Sequence, residues 1–207
     1  MRRTLATLAA LALAAALGAC SRQEPPAACC AEADAGMPVD PLLLAFLSRA
    51  RAAHHLADDQ ESSGDLNAAL QPLAELASGP FPHPSSADLA PEVREVLADT
   101  RARLADLRSR LGAYDQAIGD VQAGLEYARD PNYFRGHLLE TEGLVEERRA
   151  KALETENPGA SAAARKRAID LLEQAMAVQS KVIEHGAAQP ISSAIPAASA
   201  APAAKPQ

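Results

Sequence analysis

The sequence has few of the residues, and none of the short motifs, from which common catalytic sites are built. Its 207 residues include no tryptophan, three tyrosines, three phenylalanines and three cysteines. It contains no glycine-rich phosphate loop, no nucleophile elbow and no His-Glu-x-x-His motif. An enzyme would have to be built from histidines and carboxylates that converge in the fold. We therefore predict a protein that is not an enzyme and that carries no cofactor.

A short apolar segment follows a basic N-terminus. Arg2 and Arg3 precede a run of 13 leucine, alanine and threonine residues over 5–17. This length suits the core of a secretory signal and is too short to cross the roughly 30 Å hydrocarbon layer of a bilayer as a helix. The run ends in Leu17-Gly18-Ala19-Cys20, which resembles the lipobox of bacterial lipoproteins.

The lipobox resemblance implies a location as well as a modification. Residues 1–19 are then a signal peptide, and Cys20 is the first residue of the mature chain and carries lipid, palmitate included. An ordinary signal peptide cleaved before an unmodified Cys20 is the alternative. Ser21 stands where an aspartate would mark retention in the inner membrane. The resemblance therefore favours a lipoprotein of the outer membrane that faces the periplasm.

The charge balance excludes one class of partner. The formal net charge is −7, and removal of 1–19 takes away two arginines and no acidic residue, which leaves 18 basic and 27 acidic residues and a net charge of −9. An acidic surface repels phosphates instead of releasing their counterions. We expect no nucleic-acid partner.

Residues 20–39 are predicted to be a flexible tether, because they hold several prolines and alanines and have no apolar period. Cys29 and Cys30 lie in this tether. Adjacent cysteines close a disulfide only with a strained backbone, so an intermolecular disulfide or a free pair is also open. A metal or redox role would need further ligands, and no Cys-x-x-Cys spacing is present.

Residues 40–186 carry helical periodicity throughout and no strand pattern, so we predict an all-α domain of six helices. An Ala/Pro/Ser-rich tail over 187–207 is predicted to be disordered. Pro72 is expected to kink or split the second helix, Asp130-Pro131 to open the fifth, and Ser161 to cap the sixth, with Gly186 just beyond its end. The predicted helices are 41–61, 66–77, 88/91–111, 114–128, 130–153 and 161–185.

The helices pair into three hairpins that share a pattern. Alignment on Ala69, Ala117 and Ala168 gives a spacing of 48 to 51 residues. The chain resembles the tetratricopeptide repeat, in which a small residue in the first helix, a Gly-x-Tyr/Leu turn and an Ala followed by a large apolar residue recur. The matching positions are Leu56, Ala57, Gly64, Leu66, Ala69 and Leu73 in the first hairpin; Leu104, Ala105, Gly112, Tyr114, Ala117, Val121 and Gly124 in the second; and Gly143, Ala168, Leu172 and Ala175 in the third.

The spacing departs from the usual repeat of about 34 residues, and the first-helix aromatics are missing, so the resemblance is to a divergent array. An unrelated helical bundle is the alternative. The sixth helix is more apolar than a solvated end should be, and either the fifth helix or another chain must cover it.

The repeat resemblance implies a partner-binding groove lined by the first helix of each hairpin. Many of its positions are acidic, so we expect a basic or extended peptide segment as the ligand. The register places Arg51, His54, Asp58, Asp99, Ala102, Asp106, His137 and Glu140 toward the groove.

These features favour a membrane-anchored periplasmic scaffold or adaptor that binds other proteins and assists the assembly of an envelope complex. The alternative is a metal-binding or redox lipoprotein that uses Cys29 and Cys30 or the histidines. In His54-His55-Leu56-Ala57-Asp58-Asp59, each histidine has an aspartate four residues on, on its own side of the helix. Such pairs can hold a divalent metal, and they are also ordinary helix-surface charge pairs.

Overall fold

A computed structural model describes residues 40–82 and 89–188 of the chain, with the side chains of 187 and 188 left out. Within these ranges the fold is all-α and contains no strand, which confirms the predicted fold class. None of the described helices combines the length and the apolar character needed to cross a membrane. The helices are α1 (Pro41–Ser62), α2 (Leu66–Ser78), α3 (Pro91–Arg110), α4 (Tyr114–Leu125), α5 (Tyr133–Ala152) and α6 (Pro158–Ala188).

The predicted signal peptide, Cys20, the tether with Cys29 and Cys30, and almost all of the C-terminal tail lie outside the described residues. Only the first two residues of the tail, 187 and 188, fall within them, and they continue α6.

Side-chain caps mark the starts of α1, α2, α5 and α6, whereas α3 and α4 begin without one. The caps predicted for α5 and α6 were wrong. Asp40 caps α1 as expected, and its Oδ1 accepts a hydrogen bond of 2.9 Å from the amide of Leu42. α5 begins at Tyr133 because Asn132, and not Asp130, accepts from the amide of Arg135 at 2.9 Å. α6 begins at Pro158 because Asn157 accepts from the amide of Ala160 at 3.0 Å.

Two further positions in α6 differ from expectation. Ser161 does not cap this helix, because it lies inside the first turn and its hydroxyl donates to the carbonyl oxygen of Ala150 on α5 at 2.7 Å. Gly186 is not beyond the C-terminus, since α6 continues to Ala188. The fourth helix is also shorter than predicted and ends at Leu125.

Pro72 does not split α2, which is continuous from Leu66 to Ser78. Proline removes one backbone hydrogen bond of a helix. Ala69 before it and Leu73 and Leu76 after it are each no more than 2% exposed. Packing of both halves against the core holds the helix together, since tertiary contacts regularly override local propensity.

The six helices form three antiparallel hairpins in which each packs on the next. Gly64 and Gly112 make the turns of the first two with φ of 86° and 80°, a left-handed conformation that glycine adopts at least cost. α3 is central and contacts α1, α2, α4 and α5, whereas α6 packs only against α5 among the described elements. Two core clusters join the first hairpin to α3, and a third lies among α3, α4 and α5.

A buried carboxylate ties α4 to α3. Asp120 on α4 is 2% exposed. Its Oδ1 accepts from Arg101 Nη1 at 2.8 Å and its Oδ2 accepts from Arg108. Arg101 also donates to the carbonyl oxygen of Ala77 at the end of α2 at 3.3 Å. Three helices therefore share one ion cluster, in which the carboxylate is compensated by two guanidinium groups.

Close helix contact depends on glycine at one position of α4. A Cβ at Gly124 would lie 2.6 Å from Cδ2 of Leu138 on α5 and 3.0 Å from Cβ of Arg101 on α3. Gly119 lies on the exposed side of the same helix, and a Cβ there would meet nothing within 4 Å. The two glycines are thus a natural pair for comparison.

We predict that Gly124→Ala lowers the free energy of unfolding by about 1–3 kcal/mol, because the added methyl group overpacks the α3–α4–α5 core. Gly119→Ala is the matched control and should raise it by about 0.5–1 kcal/mol through helix propensity. Urea unfolding followed by circular dichroism measures both. Equal stabilisation by the two substitutions would contradict the close packing at Gly124.

Candidate functional site

The first helices of the three hairpins border a common cleft. It has a volume of about 420 Å³ and is called here the α1–α3–α5 cleft. α1 and α3 supply most of the lining, and α5 supplies one aromatic ring. The lining residues are Leu47, Ala50, Arg51, His54, Glu92, Glu95, Val96, Asp99 and Phe134.

The cleft combines an apolar floor with carboxylates from one side of α3. Glu92, Glu95 and Asp99 follow one another at intervals of three and four residues and so share one side of the helix. Among residues 40–82 and 89–188, no lysine or arginine nitrogen lies within 4.0 Å of their carboxylate oxygens. Among the described residues that line the cleft, Arg51 is the one lysine or arginine. The cleft therefore favours a cationic ligand.

His54 closes one wall of the cleft through a defined hydrogen bond. Its Nε2 lies 2.9 Å from Thr100 Oγ1, and the Thr100 hydroxyl donates to the carbonyl oxygen of Val96 at 2.7 Å. Because the threonine proton is already used, His54 Nε2 must be the donor in this pair. Nδ1 then faces Asp99 with its lone pair, at 4.0 Å from Oδ2.

Burial lowers the pKa of His54 below its ordinary value, and the nearby Asp99 carboxylate offsets that effect only in part. Arg103 also lowers this pKa, whereas Asp58 raises it. Burial thus favours the neutral imidazole, in which Nε2–H donates to Thr100.

Alternating charges cross α1, α3 and α5 beyond the cleft. Arg103 pairs with Asp58, and also with Glu61 at 3.2 Å. The chain of pairs then continues from Glu61 to Arg110, from Arg110 to Asp106 at 3.5 Å, and from Asp106 to Arg148 at 2.8 Å. This set of six residues is called here the charge ladder. The hydrogen bond from Arg110 is the largest cause of a lowered pKa at Glu61.

The structure distributes the predicted groove residues over several places. Arg51, His54 and Asp99 line the α1–α3–α5 cleft. Asp58 and Asp106 belong to the charge ladder and are already paired with arginines. His137 and Glu140 pair with each other on α5 at 3.9 Å, outside the cleft lining.

Ala102 was wrongly placed toward the groove, because it is 1% exposed and belongs to the core among α3, α4 and α5.

Sequence reasoning missed Glu92 and Glu95 as functional candidates. The spacing of Glu92, Glu95 and Asp99 was a usable signal, since it defines one acidic side of α3. The apolar floor was harder to foresee. Val96 has the periodicity of a core residue, and only the packing of α1 and α5 leaves it partly exposed at the cleft.

His54 and Asp58, two residues of the metal-binding alternative, each contact a different residue. His54 is bonded to Thr100 and Asp58 to Arg103. Over the ranges that the structure describes, no three histidine, cysteine, aspartate or glutamate side chains converge as a metal site would require. Cys29 and Cys30 lie outside these ranges.

Comparison with known proteins gives no further guide: no family model, curated protein or solved structure matches the chain.

We predict that His54 makes stability fall with acidification. A histidine with a lowered pKa in the folded state takes up its proton first in the unfolded state. The loss therefore begins as the pH falls through the unfolded value near 6.5 and is complete below the folded pKa. His54→Gln keeps a donor for Thr100 and removes this titration.

The measurement is chemical denaturation at a series of pH values from 7.5 to 5. Wild-type protein should lose more unfolding free energy across this range than His54→Gln, since other groups titrate equally in both. Parallel curves would show that the environment of His54 does not disfavour its charged form.

Proposed function

We propose that this chain is a bacterial lipoprotein, anchored through Cys20 in the outer membrane, whose helical domain binds partner proteins in the periplasm. The lipobox-like sequence ending in Cys20 supports the anchor. A tether over 20–39 would let the helical domain reach a partner away from the lipid surface. The three consecutive hairpins agree with a divergent tetratricopeptide-like array, which we propose as the type of scaffold.

The observation that carries the binding proposal is the α1–α3–α5 cleft, in which three carboxylates without arginine or lysine partners among the described residues border an apolar floor. A peptide with a basic side chain next to an apolar one would match both features. The apolar side chain would cover Val96 and Phe134, and burial of apolar surface contributes about 25 cal/mol per Å². The basic group would meet Glu92, Glu95 and Asp99.

The chemistry of the same site supports a binding role over a catalytic one. A histidine acts as general base when its unprotonated nitrogen faces the proton it removes. His54 instead donates to Thr100, whose own proton goes to a backbone carbonyl. This pair is therefore not a nucleophile with its base, and it fixes the position of α1 against α3.

If Cys20 carries the lipid, its substitution should abolish lipid attachment. When the full chain is expressed in a bacterium supplied with labelled palmitate, wild-type protein should carry label and sediment with membranes. Cys20→Ala should lose the label, because the thiol that receives the lipid is gone. The double variant Cys29→Ser/Cys30→Ser is the matched control and should keep it. Label on the Cys20→Ala protein, or none on wild type, would refute the anchor.

Charge reversal in the cleft predicts a loss of peptide affinity. Glu95→Lys/Asp99→Lys should weaken binding of a fluorescent peptide that contains Lys or Arg beside Leu by tenfold or more, which corresponds to about 1.4 kcal/mol. Asp59→Lys/Glu75→Lys makes the same charge change on exposed sites of α1 and α2 outside the cleft. Fluorescence anisotropy at low and at physiological salt measures both.

The control variant should bind the basic peptide nearly as well as wild type does. Equal weakening in both double variants would mean that net charge alone attracts the peptide. If neither variant weakened binding, the cleft would not be the binding site.

A further inference from the structure

α6 exposes an apolar stripe that no described element covers. Ile169, Met176 and Ile183 are 53%, 67% and 70% exposed. They are seven residues apart, which is close to two helical turns, so they lie along one side of α6. The side of α6 that faces α5 instead carries the buried Ala164, Ala168 and Ala175, together with Leu172 against Gly143.

α5 adds two apolar residues on the same flank of the α5–α6 hairpin. The opposite flank is marked by Glu146, which accepts two hydrogen bonds from Arg167 at 3.0 and 2.9 Å. Ile169 follows Arg167 by two residues and Leu144 precedes Glu146 by two, so each is turned about 200° away from that bridge. Tyr133 and Leu144 are 59% and 37% exposed. These five exposed residues are called here the end face.

We propose that the end face binds a second copy of this chain, with the two α6 helices antiparallel and a two-fold axis through Met176. An isologous dimer needs a surface that is complementary to itself under a two-fold rotation. The stripe meets this condition, because the rotation places Ile169 of one copy against Ile183 of the other and Met176 against its own counterpart.

The charges beside the stripe support this partner and this orientation. Lys166 and Glu184 each lie about 80° around α6 from Met176, on the same side of the stripe, and the rotation that pairs Ile169 with Ile183 brings them within one helical turn of each other, twice by symmetry. A parallel arrangement would put every charge against its own copy, and like charges at such distances repel. Lys166 and Asp170 also pair within α6 at 2.9 Å. Both are exposed, and a surface pair of this kind is weak enough to rearrange.

Cysteine crosslinking tests the orientation in the full chain, with Cys29→Ser/Cys30→Ser as the parent. A short bismaleimide should link two copies of the Met176→Cys protein. Ile169→Cys alone should give no link, because an antiparallel pair separates the two positions by about 21 Å, 14 residues at a rise of 1.5 Å each. A mixture of Ile169→Cys and Ile183→Cys proteins should link. The parent protein, treated in the same way, shows how much crosslinking comes from Cys20.

Each other crosslinking result overturns the proposal. Self-linking at all three positions would indicate a parallel pair, and no link at any would mean that a different occupant covers the end face, such as the C-terminal segment, a foreign protein or lipid.

Sedimentation velocity of the same full chain in detergent tests the association itself. Wild-type protein should be dimeric. Met176→Glu should be monomeric, because it places two like charges together at the two-fold axis. Its circular dichroism spectrum should be unchanged, because Met176 is exposed in the single chain. Gln174→Glu adds the same charge on the other side of α6 and should remain dimeric. A monomeric wild type, or a dimer unaffected by Met176→Glu, would overturn the proposal. Both outcomes are independent of peptide binding in the cleft.

Discussion

The close approach of helices across very small side chains is the constraint on which this fold depends. Among residues 40–82 and 89–186, alanine makes up 13 of the 25 buried hydrophobic residues, and the sequence contains no tryptophan. Small side chains bury little area each, so the helices must come near one another to exclude water. Gly124 provides this against α3 and α5, and Gly143 against Leu172 of α6, where a Cβ would lie 2.9 Å from Cγ. The positions of the first helices, and therefore the shape of the cleft between them, follow from these contacts.

Electrostatics then determines which part of the surface is available to a ligand. The charge ladder uses Asp58, Glu61 and Asp106 against three arginines, and so neutralises one part of the surface formed by the first helices. Asp120 uses two more arginines beneath it. With so many arginines already paired, the carboxylates of Glu92, Glu95 and Asp99 have no lysine or arginine partner among the described residues. The acidic character predicted for the whole groove is thus concentrated in one cleft.

Turn glycines and helical periodicity made much of the fold predictable from the sequence. Most of the features that were predicted wrongly or missed depend on contacts between residues far apart in the sequence. Gly64 and Gly112 fix turns through their own backbone conformation, which is readable in the sequence. The start of α6 depended on a choice between Asn157 and Ser161 as the cap, and a contact of Ser161 with Ala150 on the neighbouring helix decided it. Likewise, Arg103 meets Asp58 across 45 residues of chain, and no periodicity within one helix reveals that pairing.

Because α6 packs against a single neighbouring helix, it should unfold locally more often than the rest of the domain. In a linear array each unit is held only by those beside it, and opening spreads inward from the ends. α3 is surrounded by four helices, whereas α6 contacts α5 alone among the described elements. Amide hydrogens of α6 should therefore exchange with solvent well before those of α3, and a protease that attacks the folded domain should cut α6 first. Any partner that covers this helix would slow both processes without changing the rest of the fold.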